Sequence, residues 1–146
     1  LRMNDPRRLG HLSLDPALDH LGPDLFEVTE SSLRARLGRR RSAIKSALLD
    51  QRVVAGLGNL CADEVLFWAG VAPTRTVDGL AAEELRAIAI ACRERLPAML
   101  ERGGSTTGEL SPAMRTGAQA CPLDGAELWR TSIGGRTAVW CGAHQR

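Results

Sequence analysis

The sequence predicts a mainly α fold that ends in a two-stranded β-hairpin. Between residues 29 and 102, apolar side chains recur at helical spacing, and capping residues or glycines bound the periodic segments. Near the C-terminus, two β-prone runs flank Gly134-Gly135, and a two-residue hairpin turn requires the positive φ that glycine adopts. Aromatic residues make up only 3% of the chain. The core must therefore rest on Leu, Val, Ile and Ala, which favours helices.

Four helices follow from this spacing. The predicted segments are a helix N-capped by Thr29 that runs through Arg36 to Gly38, a helix Ala43–Asp50 capped by Ser42, a helix Asn59–Ala69 closed by Gly70, and a long helix Leu80–Arg102. Pro97 lies inside the last helix and lacks the N–H that the helical hydrogen-bond ladder needs. A kink, or an early end near Arg93, is expected there.

Two short clusters close the predicted hairpin with potential metal ligands. Cys121 and Asp124 precede it, Cys141 and His144 follow it, and sixteen residues separate the inner ligands. This spacing is typical of a zinc ribbon, and zinc accepts thiolate, carboxylate and imidazole ligands. Two other interpretations stay open: Asp124 and His144 are polar surface groups on a hairpin without zinc, or Cys121 and Cys141 form a disulfide.

The hairpin register has a consequence for Arg136. If Gly134-Gly135 forms the turn, Ile133 faces Arg136 and Trp129 faces Trp140. Both ligand clusters then lie at one end of the hairpin, and Arg136 lies at the other. An arginine presented at the tip of a tied hairpin is suited to binding a phosphate.

Charge is unevenly distributed along the chain, although the net charge is only +2. Residues 34–52 contain seven basic residues and one acid, whereas acids collect around residues 15–30 and 78–101. One basic face favours a polyanion as partner. The alternative is a solvated surface, since arginine outnumbers lysine eighteen to one. No apolar run is long enough to cross a membrane and no signal-peptide pattern is present, so a reducing cytoplasm is the expected setting.

The segment from residue 43 to residue 69 reads as helix, glycine turn and helix. Gly56 and Gly58 would leave backbone N–H groups bare beside a phosphate, and the second helix would begin at Asn59 with its positive dipole end facing the same way. Lys45 on the preceding helix adds a positive charge. Such an element binds the backbone of a nucleic acid and reads no bases. An ordinary helical hairpin with a tight turn is the alternative.

Four sequence blocks occur in an order that resembles one family. They are Asp5-Pro6-Arg7-Arg8-Leu9-Gly10, then Ala43-Ile44-Lys45 with Leu48-Leu49-Asp50-Gln51, then Val54 to Leu60 with Glu64, and last Gly134-Gly135-Arg136-Thr137 with the ligand clusters. Over essentially the whole chain, the sequence resembles the C-terminal half of the formamidopyrimidine-DNA glycosylase and endonuclease VIII family. The resemblance implies a helix–two-turn–helix DNA-binding domain, a β-hairpin zinc finger, and remnant strands of an absent N-terminal β-sandwich.

The family removes oxidised bases from double-stranded DNA, and the resemblance assigns roles to individual positions. Lys45, Gly58 and Asn59 match residues that bind the phosphates flanking the flipped nucleotide, and Arg136 matches the arginine of the finger that holds the same strand. The finger implies one zinc ion held by Cys121, Asp124, Cys141 and His144, although family fingers usually carry four cysteines.

The Asp-Pro-Arg-Arg loop carries the other implied contacts. Arg7 matches the arginine that meets the orphaned base, and Arg8 matches a neighbouring phosphate contact. Leu9 stands where many members carry a phenylalanine wedge.

The resemblance also implies a division of the chain and of the activity. The expected segments are residues 1–14 as a remnant of the catalytic domain, 15–104 as the helix–two-turn–helix domain, 105–119 as an exposed linker, and 120–146 as the finger. In the family, a glycosylase and AP lyase, a proline at the extreme N-terminus attacks the sugar. This chain lacks that nucleophile, so it has no catalytic residue, and we expect an inactive monomer near the nucleoid. Non-catalytic alternatives are a pure binding module and a degenerate paralogue that serves as a regulator.

Overall fold

A computed structural model describes residues 13–116 and 119–146. In that part of the chain there are four α-helices and one hairpin: α1 (Glu30–Leu37), α2 (Ile44–Leu48), α3 (Asn59–Ala69), α4 (Ala82–Glu101), β1 (Leu128–Ile133) and β2 (Arg136–Cys141). The mainly α fold with a terminal hairpin is therefore confirmed. The predicted contacts at Arg7, Arg8 and Leu9, and the predicted remnant strands up to residue 12, lie outside the described residues.

Helix α1 begins and ends where the sequence predicts. The Thr29 hydroxyl accepts a hydrogen bond from Ser32 N at 3.1 Å, and Ser32 Oγ accepts one from Thr29 N at 2.9 Å. This reciprocal cap satisfies two N–H groups at the helix start. Gly38 ends the helix with a φ of 60°.

Helix α2 is shorter than predicted, and Ser42 does not cap it. The helix begins at Ile44 with no side-chain cap, and Ala43 occupies the N-cap position. The backbone here pairs with another segment instead: Ser42 O accepts from Val77 N at 3.1 Å, and Ala43 forms an antiparallel bridge with Thr76. Pairing over this long range overrides the local capping preference.

Helix α4 continues past Pro97, so the predicted early end near Arg93 is wrong. The helix extends from Ala82 to Glu101 with Pro97 inside it. Leu96 is 4% exposed and Met99 is 2% exposed, so both side chains are buried on either side of the proline. Burial of this apolar face compensates for the missing hydrogen bond.

The helices pack in a definite order that places the hairpin. Helix α3 contacts both α4 and β2, and α1 contacts α4. Apolar side chains of α3, such as those of Val65 and Leu66, are fully buried in the main core. None of the helices in the described residues is long and apolar enough to cross a membrane.

The hairpin has the predicted register. Ile133 pairs with Arg136, and Trp129 pairs with Trp140. Both turn glycines have positive φ, 57° at Gly134 and 73° at Gly135, as a primed turn requires. The buried face of the hairpin shares a second, smaller core with α3, formed by Phe67, Leu110, Cys121, Leu128, Val139 and Cys141.

The segment after α4 is not an exposed linker over its whole length. Leu110 is only 3% exposed and belongs to the second core, and Pro112–Arg115 forms a 3₁₀ turn. Many of the small polar residues between them are exposed, as their composition predicts. The chain therefore reaches the hairpin along the surface of α3.

Candidate metal centre and nucleic-acid interface

The four predicted metal ligands lie together at one end of the hairpin. One ligand atom from each of Cys121, Asp124, Cys141 and His144 lies within 4.8 Å of the other three. His144 Nδ1 is 3.3 Å from Asp124 Oδ2 and 3.8 Å from Cys121 Sγ. Cys141 Sγ is 3.3 Å from Asp124 Oδ2. Neither cysteine is in a disulfide, so the disulfide interpretation is not realised.

Three of these separations, 3.3, 3.3 and 3.8 Å, match those around a tetrahedral ion, and the wider ones, up to 4.8 Å, would have to shorten on binding. Zinc bonds of 2.0–2.3 Å in a tetrahedron place neighbouring ligand atoms about 3.3–3.8 Å apart. Hydrogen bonding from Ala126 N, and then from Cys121, lowers the pKa of the Asp124 carboxyl to about 2. Asp124 is therefore ionised at neutral pH, as a carboxylate ligand must be. The cluster can hold a metal.

Contacts behind the cluster orient its histidine. His144 Nε2 lies 3.3 Å from Phe67 O on α3, to which it can donate a hydrogen bond. Nδ1 faces the other three ligands and is the nitrogen that would bind a metal. Gln145 fixes the same region, since its side chain accepts from Cys141 N at 2.8 Å and donates to Val71 O at 2.9 Å.

The start of α3 has uncommitted polar groups. Its N-cap is Gly58, which is exposed and has no side chain that could cap the helix. The first N–H groups of an α-helix have no partner within the helix, and they carry the positive end of its dipole. Asn59 Oδ1 is buried and also has no hydrogen-bond partner in the described part of the chain. Through its free N–H groups this end of α3 can bind an anion, whereas the Asn59 oxygen, an acceptor, does not contribute.

The turn that leads into α3 is held by Gln51, a residue to which the sequence assigned no role. Its Oε1 accepts from Gly56 N at 2.8 Å, and its Nε2 donates to Leu57 O at 3.3 Å. The expectation of a bare N–H at Gly56 is therefore wrong. Glycine is still required there, because φ is 83° and a Cβ would lie 2.9 Å from the Leu25 side chain.

Strand β2 runs beside α3 in the same direction. Val139 N donates to Asp63 Oδ2 at 3.3 Å, and one helical turn later Phe67 O meets His144 at 3.3 Å. Both chains thus advance together toward the metal-ligand cluster. The opposite end of this pair carries the helix start and the hairpin tip.

The same alignment predicts that Asn59 lies near Arg136. Asn59 precedes Asp63 by one turn, which is a rise of about 6 Å. Two residues of strand cover about the same length, so stepping back from Val139 reaches Thr137. Asn59 is therefore level with Thr137, the neighbour of Arg136.

Two further contacts bring the hairpin tip against α2. A Cβ on Gly134 would lie 3.3 Å from Ser46 Oγ, and the charge of Arg136 is close enough to contribute to lowering the pKa of Lys45. The Arg136 side chain itself is exposed. The hairpin tip therefore lies against α2, whereas the grouping of Lys45, Gly58, Asn59 and Arg136 into one phosphate-binding site stays a prediction.

Lys45, however, is buried in a cluster of charges. Its side chain is 0% exposed, and Nζ lies 2.7 Å from Asp63 Oδ1 and 2.6 Å from Thr137 O. Arg115 Nη2 lies 2.7 Å from Asp63 Oδ2 and 2.8 Å from Thr137 O. Direct contact of Lys45 with a phosphate stays a prediction, and it would require the ammonium to leave these partners.

Electrostatic attraction holds this cluster together. Burial lowers the pKa of Lys45, against the attraction of Asp63, and burial raises the pKa of Asp63, against Lys45 and Arg115. Asp63 Oδ1 has an ion-pair distance to Lys45 but no hydrogen bond of good geometry within the described residues. The 2.7 Å separation still makes Lys45 and Asp63 an ion pair, because the attraction between two charges depends only weakly on angle.

Glu64 holds the segment that leads to the hairpin. It is 2% exposed and accepts from Glu109 N at 2.9 Å, Leu110 N at 3.0 Å and Trp68 Nε1 at 2.9 Å. Sequence reasoning missed the roles of Asp63, Glu64 and Arg115. One signal was present: two adjacent acids in the apolar α3 need buried partners.

The fold and the two sites define a helix–two-turn–helix domain that shares its core with a metal-ligand hairpin. Residues 21–111 match the model of the formamidopyrimidine-DNA glycosylase H2TH domain. The chain belongs to the formamidopyrimidine-DNA glycosylase family, as the sequence predicted.

Curated relatives agree with this family over the whole chain. The chain is 38% identical to the formamidopyrimidine-DNA glycosylase of Xanthomonas campestris pv. campestris (strain B100), with 100% of the chain and 62% of the relative covered. It is 35% identical to that of Hahella chejuensis, with the same coverage. The chain therefore spans less than two thirds of the length of these relatives.

Solved structures show the same fold. One is the Lactococcus lactis formamidopyrimidine-DNA glycosylase bound to DNA with an AP site, with a TM-score of 0.74 and 28% identity over 87% of this chain and 51% of that chain. Another is MutM in complex with DNA that contains carbocyclic 8-oxo-G, with a TM-score of 0.75, 28% identity and the same coverage.

Replacing Glu64 by Ala should loosen the segment that contains Leu110. Three donors would lose their acceptor, two of them backbone N–H groups, so we expect the free energy of unfolding to fall by about 2–4 kcal/mol. Hydrogen exchange at Glu109 and Leu110 should accelerate. The control is Glu64→Gln, which keeps one acceptor oxygen and should cost less. Unchanged exchange at both amides in the alanine variant would contradict the assigned role.

Proposed function

We propose that this chain is the DNA-binding part of a base-excision-repair glycosylase, and that it binds duplex DNA containing a damaged base. The supporting observation is that the free start of α3 and the exposed Arg136 lie at the same end of the α3–β2 pair. One sugar-phosphate strand can therefore contact both. The related structures that contain AP-site DNA and 8-oxo-G DNA support this choice of ligand.

Each residue contributes in a different way. Gly58 and Asn59 offer N–H groups and an amide to a phosphate, whereas Arg136 offers a planar, charged group. Lys45 adds positive charge from its buried position. Contacts with a phosphate position the nucleic acid and carry no sequence information. The roles of Arg7, Arg8 and Leu9 at the vacated base position remain predictions from the sequence.

We propose zinc as the metal of the Cys121, Asp124, Cys141 and His144 cluster. Two sulfur ligands and one nitrogen ligand favour zinc over calcium or magnesium, which prefer oxygen. The ion would tie the ends of the hairpin and support the second core, in which both cysteines are buried. Its role here would be structural.

Two single substitutions should separate charged from neutral contacts with DNA. Arg136→Ala should weaken binding and reduce the magnitude of the slope of log affinity against log salt by about 0.9, because one fewer counterion is released. Asn59→Ala should weaken binding with no change of slope, since the side chain is neutral. Fluorescence anisotropy with an abasic-site duplex, measured at several salt concentrations, gives both quantities.

The control for these variants is Arg86→Ala. Arg86 is exposed on α4, which α3 separates from the hairpin, so its loss removes the same charge away from the proposed site. Affinity should change little. If Arg86→Ala and Arg136→Ala weaken binding equally, the interaction is unspecific and the proposed site is wrong.

The chain is proposed to bind DNA without cutting it. None of the described residues near Asn59 and Arg136 offers an uncommitted amine nucleophile, because the Lys45 nitrogen is buried in its ion pair. Incubation with DNA that contains an AP site or 8-oxo-G should give no strand cleavage. Schiff-base trapping by borohydride provides the more sensitive test, and a trapped covalent product would overturn this assignment.

Metal analysis tests the zinc proposal. Cys141→Ala should lose zinc, and the hairpin should unfold with it, because structural zinc contributes on the order of 10 kcal/mol of apparent binding energy. The control is Cys92→Ala, which removes a thiol that is 0% exposed in the main core and should keep the metal. Equal zinc content in the two variants, or no zinc in the parent chain, would refute the proposal.

A further inference from the structure

The side chain of Arg115 is mostly covered by its neighbours, and the proposed function gives it no role. Its side chain is 11% exposed, although it belongs to a segment for which the sequence predicts an exposed linker. The guanidinium meets two acceptors, Asp63 Oδ2 at 2.7 Å and Thr137 O at 2.8 Å. Burying an arginine is costly unless its partners are fixed.

Asp63 connects four parts of the chain through one carboxylate. It belongs to α3, and it receives Lys45 from α2 at 2.7 Å, Arg115 from the 3₁₀ turn at 2.7 Å and Val139 N from β2 at 3.3 Å. The carboxylate is 0% exposed. Among the described residues, no other side chain forms ion pairs with two different segments.

The charge cluster of Lys45, Asp63 and Arg115 is hydrogen-bonded to β2 at the carbonyl of Thr137. Both cations donate to it, Lys45 at 2.6 Å and Arg115 at 2.8 Å. The next residue toward the hairpin tip is Arg136. These hydrogen bonds to the Thr137 carbonyl fix the position of β2 along the axis of α3. They therefore also fix the position of Arg136, the next residue.

Stability alone does not account for such a cluster. Replacing a buried group of ion pairs by apolar side chains of similar volume is often neutral or stabilising, whereas removing one member is strongly destabilising. Directional polar contacts do something that apolar packing does not do, since they specify one register between the packed segments.

We propose that Asp63 and Arg115 are positioning residues for DNA binding: with Lys45 they hold Thr137 so that Arg136 meets the same phosphate strand as Asn59. This inference rests on the proposed function and deepens it. Lys45 then acts through the backbone of β2, and its nitrogen stays in the cluster when DNA binds.

The test is a variant in which the whole cluster is apolar. Lys45→Met, Asp63→Leu and Arg115→Met together leave no buried charge without a partner, so the chain should stay folded. We expect a folded chain with near-native zinc content, a reduced stability because Val139 N and Thr137 O lose their side-chain partners, and an affinity for an abasic-site duplex about tenfold weaker. Arg86→Met is the control, because it produces the same change in net charge, from +2 to about +1, away from the cluster.

A double-mutant cycle distinguishes positioning from direct contact. Arg136→Ala should weaken binding about tenfold in the parent chain and less than about threefold in the apolar-cluster variant, because Arg136 is already displaced there. If Lys45 contacts a phosphate itself, the two losses should instead add. Additive losses, or full affinity in the apolar-cluster variant, would overturn the proposal.

A conservative variant covers the case in which the triple variant does not fold. Arg115→Lys keeps the charge but places the ammonium on a shorter side chain than Nη2, the nitrogen that makes both contacts, so the contacts to Asp63 and Thr137 are weakened. Affinity should fall by about threefold, with the same loss of coupling to Arg136. Affinity and coupling equal to those of the parent chain would refute positioning. The proposed function itself fails separately, if Asn59→Ala and Arg136→Ala leave the affinity of the parent chain unchanged.

Discussion

The side-by-side packing of α3 and β2 is the interaction on which both candidate sites depend. At one end of this pair, Phe67 shares a core with two of the metal ligands and its carbonyl orients His144. At the other end, the start of α3 lies level with the hairpin tip. A shift of the strand by one residue would turn every strand side chain to the opposite face. Both sites would then be lost together.

Three kinds of contact join the hairpin to the helical domain. Apolar packing through Phe67 and Val139 supplies non-directional stability, and the charge cluster around Asp63 supplies a register. The C-terminal residues close the arrangement, since Arg146 N donates to Gly70 O at 3.0 Å. A finger fixed in this way leaves only the exposed Arg136 side chain, and not its backbone, to be ordered on binding, which favours affinity.

Elements encoded by neighbouring residues could be predicted from the sequence. The ends of α1 and α3 follow from Thr29, Gly38 and Gly70, and the hairpin register follows from its glycine pair. Where distant segments compete with local preference, the prediction fails. Ser42 is the clear case, because its backbone pairs with Val77 and its side chain caps nothing. The cluster of Cys121, Asp124, Cys141 and His144 was predictable because the spacing within each pair is local.

Asp63 and Glu64 show why the connections between segments escaped sequence reasoning. Adjacent residues on a helix point about 100° apart, so two neighbouring acids reach different partners. Asp63 meets β2, which is 76 residues away, and Glu64 meets the segment around Leu110, 46 residues away. No local pattern encodes such separations. What the sequence does encode is the anomaly itself, two acids in an apolar helix, and buried charge of that kind is retained only where its partners are built into the fold. In this chain those partners set the position of the residues proposed to hold DNA.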